Sequence, residues 1–143
     1  MISKLAAYAG KNLEQFRTTI ARGNYSGGRG PSDLLVVLSG SRQHKGQRGR
    51  VRVSFHPRAI QQLGWMKGDR VSWVVTESGG LLFYRHPEGM ALTLTSYKKG
   101  VDPGKCRLQA QYIIDSVELY EAWKTSTARN VEIENGRIAF DVE

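Results

Sequence analysis

Cysteine and long apolar segments are almost absent from this chain of 143 residues. Cys106 is the only cysteine, so no disulfide can form within the chain. No run of about 18 apolar residues occurs, which argues against a membrane span. The N-terminal Met1-Ile2-Ser3-Lys4-Leu5 is followed by a polar, charged stretch and lacks the apolar core of a signal peptide. These absences predict a cytoplasmic protein that has no membrane partner.

Motifs of catalysis and metal binding are also absent. His44, His56 and His86 are scattered, and Cys106 has no second ligand at a metal-binding spacing. The sequence contains no Cys-x-x-Cys, no His-Glu-x-x-His and no phosphate-binding loop. We therefore expect a protein that is not an enzyme and that carries no metal ion and no cofactor.

Acidic residues are scarce in the N-terminal part of the chain. Residues 1–58 contain 11 Lys and Arg against 2 Asp and Glu, a net charge of +9, whereas residues 59–143 contain 10 against 11, a net charge of −1. A localised positive charge attracts polyanions. Five cations and no acid fall within residues 42–52, namely Arg42, Lys45, Arg48, Arg50 and Arg52. This run favours nucleic-acid contact, and a solvated basic loop is the alternative.

Hydrophobic periodicity predicts three regions. Residues 1–22 have an apolar stripe of approximate helical spacing, interrupted by Gly10, and are predicted to form a helix that docks on the chain's own core or on a partner's helix. The glycine-rich residues 23–32 predict a flexible linker. Residues 33–143 alternate like strands, with short helices between them. The predicted class is mainly β with short helices (α+β), preceded by the N-terminal helix.

Within the β region, turn and cap residues predict the element order. An apolar strand from Leu34 and an alternating strand at residues 51–55 predict a hairpin whose tip is the basic loop 39–49. Pro57 opens a short helix that Gly64 ends. Later segments predict further strands, a helix at 116–124 and a final hairpin at Asn135-Gly136. Alternation puts most of four aromatic residues in the core rather than on a base-stacking surface, namely Trp65, Trp73, Phe83 and Tyr84.

Two stretches, about 49–86 and 108–142, share the order strand, short helix, hairpin. If this similarity is a repeat, two halves could close one small β-barrel within a single chain. Chance similarity between two small β modules is the alternative.

A set of motifs in the first stretch resembles the AbrB/MazE/SpoVT-type swapped-hairpin family over about residues 49–85. The motifs are Gly49-Arg50-Val51-Arg52-Val53, His56-Pro57-Arg58-Ala59-Ile60, Leu63-Gly64-Trp65, Lys67-Gly68-Asp69-Arg70-Val71 and Gly80-Leu81-Leu82-Phe83. The resemblance implies a barrel of interleaved hairpins from two chains, hence a homodimer, that binds DNA through arginines on and around the first strand. Arg50 matches the arginine of the family's Gly-Arg-Val start. Gln61 and Gln62 stand where DNA-binding members often carry arginines.

Two functions remain. The first is a transcriptional regulator that contacts the phosphates of double-stranded DNA, with six predicted contacts: Arg42, Lys45, Arg48, Arg50, Arg52 and Arg58. The second is a small inhibitor or accessory factor whose basic half docks on an acidic protein partner, such as a polymerase or another nucleic-acid enzyme. The acidic residues 115–143, with a net charge of −4 from three basic and seven acidic residues, would serve the same docking role or pair with the basic face of a second copy.

Overall fold

The computed structural model describes residues 5–11, 35–42, 49–95, 106–114 and 116–143. Nine strands and two short helices lie in these residues, so the prediction of a mainly β fold with short helices is confirmed. In chain order the elements are β1 (Val36–Arg42), β2 (Gly49–Phe55), α1 (Pro57–Leu63), β3 (Arg70–Val75), β4 (Leu81–Arg85), β5 (Met90–Ala91), β6 (Thr93–Leu94), β7 (Leu108–Ile114), α2 (Val117–Lys124), β8 (Ala128–Glu134) and β9 (Arg137–Val142).

The strands form two antiparallel sheets. Sheet I has the order β1-β2-β7-β6, and sheet II has the order β5-β3-β4-β9-β8. The prediction of a closed barrel is wrong for the described residues, because no ladder of hydrogen bonds joins the two sheets. At the link between β5 and β6, Leu92 donates its N–H to Asp69 O and accepts from Gly68 N–H. The backbone of Leu92 is hydrogen-bonded to the turn before β3, so neither the ladder of sheet I nor the ladder of sheet II continues through this residue.

The core lies between the two sheets, where alternate residues of each strand point inward. The three inward side chains of β2 are fully buried, namely Val51, Val53 and Phe55. Rings from sheet II and α2 meet in the centre, where the Trp73 and Trp123 centroids are 5.3 Å apart at an interplanar angle of 69°. The prediction that Trp65, Trp73 and Phe83 pack in the core is confirmed, whereas Tyr84 is only half-buried.

Local sequence signals set the ends of α1 and the last turn. His56 caps α1, since its Nδ1 accepts the backbone N–H of Arg58 at 3.1 Å. Gly64 ends the helix with a φ of 73°, a left-handed conformation that favours glycine. Asn135 and Gly136 have φ values of 52° and 72°, as the predicted two-residue hairpin turn requires.

The described part of the N-terminal region differs from the predicted helix. One turn of 3-10 helix spans Ala6–Tyr8. Gly10 then adopts a φ of 81° and donates its N–H to Val75 O at 2.7 Å, and Val75 donates in return to Lys11 O at 2.9 Å. Pairing with the end of β3 therefore replaces helix here. The remainder of the predicted helix and the linker 23–32 lie outside the described residues.

The order of elements in β2-α1-β3-β4 recurs in β7-α2-β8-β9. The first strands of the two stretches pair with each other, β2 with β7, and so do the last strands, β4 with β9. Two indole N–H groups cross between the stretches: Trp65 donates to Gly136 O at 3.1 Å, and Trp123 donates to Arg52 O at 3.0 Å. Both stretches therefore contribute to one shared core.

Candidate nucleic-acid interface

The predicted hairpin that carries the basic run is formed by β1 and β2. The two strands pair along their whole length, and the last pair is Arg42 opposite Gly49. Arg42 therefore ends β1 directly across from the residue that starts β2. Lys45 and Arg48 belong to the connecting residues 43–48, which lie outside the described residues. We call residues 42–50, from Arg42 to Arg50, the hairpin end.

A tyrosine of α2 packs against the described part of the hairpin end. Tyr120 is 2% exposed, and its ring covers Gly49 and Gly40. A Cβ atom at Gly49 would lie 2.5 Å from Tyr120 Cγ, and one at Gly40 would lie 3.1 Å from Tyr120 Cε2. The two glycines permit this close approach. Sequence patterns assign both glycines to the basic loop 39–49. Two glycines on neighbouring strands leave room for a side chain to lie across them, and this was the signal that could have predicted the packing of Tyr120.

Arg50 lies on the outer face of sheet I, away from the core. Its cross-strand neighbours are Ser41 in β1 and Ile113 in β7, and its side chain is partly exposed. The adjacent residue Val51 points to the opposite face and is fully buried. Arg50 therefore belongs to the outer face, where its side chain is partly exposed and its Nε is buried, whereas Arg42 pairs with Gly49 on the face of Val51.

Arg52 was predicted to lie on a solvent-exposed face of the strand, and this prediction is wrong. Only 3% of Arg52 is exposed. Its Nε donates to Ser39 Oγ at 3.4 Å, which links β2 to β1, and its carbonyl accepts from the Trp123 indole. A buried guanidinium has no access to a phosphate group outside the protein.

Arg58 is exposed but lies apart from the hairpin end. It is the second residue of α1, which follows the far end of β2. The seven residues of β2 span about 20 Å at roughly 3.4 Å per residue. The six predicted contacts therefore do not form one cluster. Arg42 and Arg50 lie at the same end of the hairpin but on opposite faces of it, Arg52 is buried, and Arg58 lies beyond the opposite end of the strand.

A further arginine on the outer face of sheet I was missed by sequence reasoning. Arg107 precedes β7 and is half-buried, with its Nη1 at 3.5 Å from both the carbonyl and the Oγ of Ser54. Only the register of the sheet brings it to the same face as Arg50. The described outer-face residues include no carboxylate, and their polar members are Ser39, Ser41, Arg50, Arg52, Ser54, Thr93, Gln109 and Gln111.

Exposed carboxylates of the described residues lie on other surfaces. Two are on α2 and two are on β8, namely Glu118, Glu121, Glu132 and Glu134. At the end of sheet II, Glu143 accepts from Arg129 at 3.2 Å, and Asp141 accepts from Asn130 at 3.0 Å. None of these carboxylates lies on the outer face of sheet I, but α2, which carries Glu118 and Glu121, packs against β1 and β2 beside the hairpin end.

The described residues include no candidate metal centre. No group of three His, Cys, Asp or Glu residues among them could hold a metal ion.

Burial, followed by the charge of Tyr84, raises the pKa of Tyr112, whose hydroxyl donates to Val71 O at 3.0 Å. Tyr112 therefore stays neutral. Separately, no helix in the described part of the chain is long and apolar enough to cross a membrane.

Comparison with known proteins found no match for this chain among family models, curated proteins or solved structures.

Proposed function

We propose that the protein binds double-stranded DNA through phosphate contacts at the hairpin end. The observation that carries this proposal is the pairing of β1 with β2, which places Arg42 (opposite Gly49) and Arg50 (opposite Ser41) on the two sides of the connection, one register step apart and on opposite faces of the hairpin. The connection adds Lys45 and Arg48 and contains no acid. Four cations on one short stretch of hairpin can each neutralise a phosphate, and guanidinium groups do so with two parallel hydrogen bonds.

The affinity should depend steeply on salt. Each neutralised phosphate releases counterions and changes the slope of log K against log salt by about −0.9, so four contacts predict a slope of roughly −3.6. Raising the salt from 50 to 200 mM should then weaken binding by about 150-fold. Arg52 is left out of this set because its side chain is buried.

We further propose that the chain is a single-chain form of the swapped-hairpin arrangement, and that its role is transcriptional regulation. Support comes from the pairing of β2 with β7 and of β4 with β9, and from the packing of α1 on β8 across the two stretches. Within one chain, these strand pairs form the contacts that two separate halves would form with each other in a homodimer. Size exclusion with light scattering tests this point, since a stable dimer would show that a second chain is still required.

A second candidate is docking of the same cations on an acidic protein partner, such as a polymerase, which the protein would inhibit or assist. The burial of Arg52 and the distance of Arg58 favour it, because they leave a smaller cationic patch than a DNA regulator with six contacts would have. A small patch suits a localised acidic surface on a protein.

Fluorescence anisotropy with a labelled 20-base-pair duplex, the matching single strand and an RNA strand, over 25–300 mM salt, tests the first proposal. The triple variant Arg42→Glu, Arg48→Glu and Arg50→Glu should lose duplex binding. The matched control reverses three exposed cations elsewhere, Lys67→Glu, Arg129→Glu and Arg137→Glu, and should retain most of it. No binding of the wild-type protein at 25 mM salt, or equal losses in both triple variants, would contradict DNA binding through the hairpin end. Preference for the single strand or RNA would contradict the duplex.

A further inference from the structure

The outer face of sheet II is formed by the side chains of β3, β4 and β9 that alternate with the core residues. The core residues of these strands include the fully buried Trp73, Phe83 and Ile138, so the residues next to them point away from the core. The ladders align these outward residues in rows across the sheet: one row contains Ser72 and Tyr84, and the next contains Val74, Leu82 and Ala139. The β4–β9 ladder ends with Phe83 opposite Ile138, which places Tyr84 and Arg137 side by side one step further along the strands.

Tyr84 is the aromatic side chain among these outward residues. It is only half-buried, unlike the aromatic residues of the same strands that lie in the core. The imidazole of His86 lies next to it, with the ring centroids 6.1 Å apart at an interplanar angle of 87°. The backbone N–H of Glu88 donates to His86 Nδ1 at 3.1 Å and so orients the imidazole. Two adjacent rings on an accessible sheet face provide a surface on which a nucleic-acid base can stack.

Two exposed arginines flank Tyr84. Arg137 lies beside it on β9, and Arg70 on β3 accepts the backbone N–H of His86 at 2.9 Å through its carbonyl. Arg70 Nη1 donates to Gly89 O at 3.1 Å, and this bond holds the side chain against the turn that follows β4. Within the described residues, neither arginine forms an ion pair with a carboxylate. Both charges are therefore available to an anion.

The register places one positive charge on each side of the accessible ring. Arg70 and Arg137 are two strands apart and offset by two residues, which corresponds to about 12 Å at roughly 4.8 Å per strand and 3.4 Å per residue. The outward residues of β3 and β4 include no carboxylate, whereas Glu132 and Glu134 lie on the edge strand β8. A single strand that crosses β4 can therefore stack a base on Tyr84 while its phosphates contact the two arginines.

We infer that this outer face of sheet II binds single-stranded nucleic acid, with a base stacked on Tyr84 and phosphates contacted by Arg70 and Arg137. The bases of a duplex are paired and stacked on each other, so the ring cannot reach them. Two phosphate contacts predict a slope of log K against log salt of about −1.4, at about −0.7 for each contact with a single strand. Because this face offers two cations and the hairpin end offers four, the single strand should bind more weakly than the duplex.

The test measures the fluorescence anisotropy of labelled 12-base oligothymidylate, 12-base oligouridylate and the 20-base-pair duplex over 25–300 mM salt. Tyr84→Ala should weaken single-strand binding about 5-fold to 150-fold, the range expected for one stacked base, and leave duplex binding unchanged. Tyr84→Phe retains the ring and should bind like the wild type. Tyr84→Leu retains an apolar side chain without a ring, and should lose as much affinity as Tyr84→Ala. Binding of either oligonucleotide with this order of variants supports the inference.

The two arginines are tested by the salt slope on the single strand. Arg70→Gln and Arg137→Gln should each reduce the slope by about 0.7, and the double variant by about 1.4. Lys124→Gln removes one exposed charge from α2 and is the matched control, with an unchanged slope. Melting temperatures from circular dichroism show that each variant is folded.

Three results would overturn the inference. They are the absence of single-strand binding by the wild-type protein at 25 mM salt, equal affinities of Tyr84→Ala and Tyr84→Phe, and a parallel loss of duplex affinity in Tyr84→Ala. The first of these would favour a protein partner for the apolar row of this face. The inference does not rest on the proposed duplex binding: a wild-type protein that binds the single strand through Tyr84 but binds no duplex would contradict the proposed function alone.

Discussion

Replacing Gly49 by alanine perturbs the hairpin end through a single added methyl group. The new Cβ would lie 2.5 Å from Tyr120 Cγ and 2.8 Å from Tyr120 Cβ. Gly49 is not among the residues with positive φ, so the cost is steric and owes nothing to backbone conformation. Either the tyrosine leaves its buried position or the end of β2 moves away from α2.

Overpacking of this kind costs about 1–3 kcal/mol. For a chain of this size, each kcal/mol lowers the melting temperature by roughly 2–4 °C, so Gly49→Ala should melt about 2–12 °C below the wild type. Thermal unfolding followed by circular dichroism measures the shift. Gly40→Ala is the matched control on the partner strand, where the added Cβ would meet Tyr120 Cε2 at 3.1 Å, and a shift of the ring can relieve that contact more easily.

Combining Gly49→Ala with Tyr120→Ala isolates the contact. The double variant should be less destabilised than the sum of the single variants, with a coupling of about 1 kcal/mol or more. A melting temperature for Gly49→Ala equal to that of the wild type, or strict additivity in the double variant, would refute the placement of Tyr120 on the hairpin end. The salt slope of DNA binding should stay at its wild-type value, because no cation is lost.

Three further predictions follow from side chains elsewhere in the core and sheet. Arg52→Met should leave the salt slope of DNA binding unchanged, since only 3% of Arg52 is exposed; a slope lower by one contact would show that the side chain reaches phosphate. Trp65→Phe should cost about 1 kcal/mol in urea unfolding by removing the hydrogen bond to Gly136 O, and a neutral result would show that this bond adds nothing. The raised pKa of Tyr112 favours the neutral phenol in the folded state. The contribution of Tyr112 to the free energy of unfolding is therefore fully present below the ordinary tyrosine pKa of about 10 and declines at higher pH. Tyr112→Phe should make that alkaline decline shallower in pH-dependent unfolding, and an unchanged decline would contradict the assignment.

Sequence patterns predicted the elements whose signals are local. Pro57 and Gly64 bound a helix because the first needs no N–H bond in the first turn and the second accepts a left-handed φ. Asn135-Gly136 predicted the last hairpin because both residues adopt the positive φ that a two-residue turn requires. Each signal acts through its own backbone, so no distant residue is needed to interpret it.

The wrong predictions concern residues whose structure depends on contacts with distant parts of the chain. Alternation places Arg52 on the outer face correctly, but it does not reveal that the outer face is inaccessible at that position. The apolar stripe in the N-terminal region favours helix, whereas pairing of Gly10 and Lys11 with Val75 determines the structure of residues 5–11. Arg107 is 57 residues from Arg50 in the sequence, so only the β2–β7 register could bring it into the candidate interface.

The proposed single-chain arrangement would remove a constraint that applies to a homodimer. In a homodimer, symmetry places the same side chain at both equivalent positions. Here the two stretches differ at equivalent places: Arg52 pairs with Gln111 at the centre of the β2–β7 ladder, and Arg58 and Glu118 are each the second residue after a helix cap. A two-fold protein binds a two-fold DNA site most simply. On the proposed function, these unequal halves predict a DNA site without two-fold symmetry, bound by one chain in a single orientation.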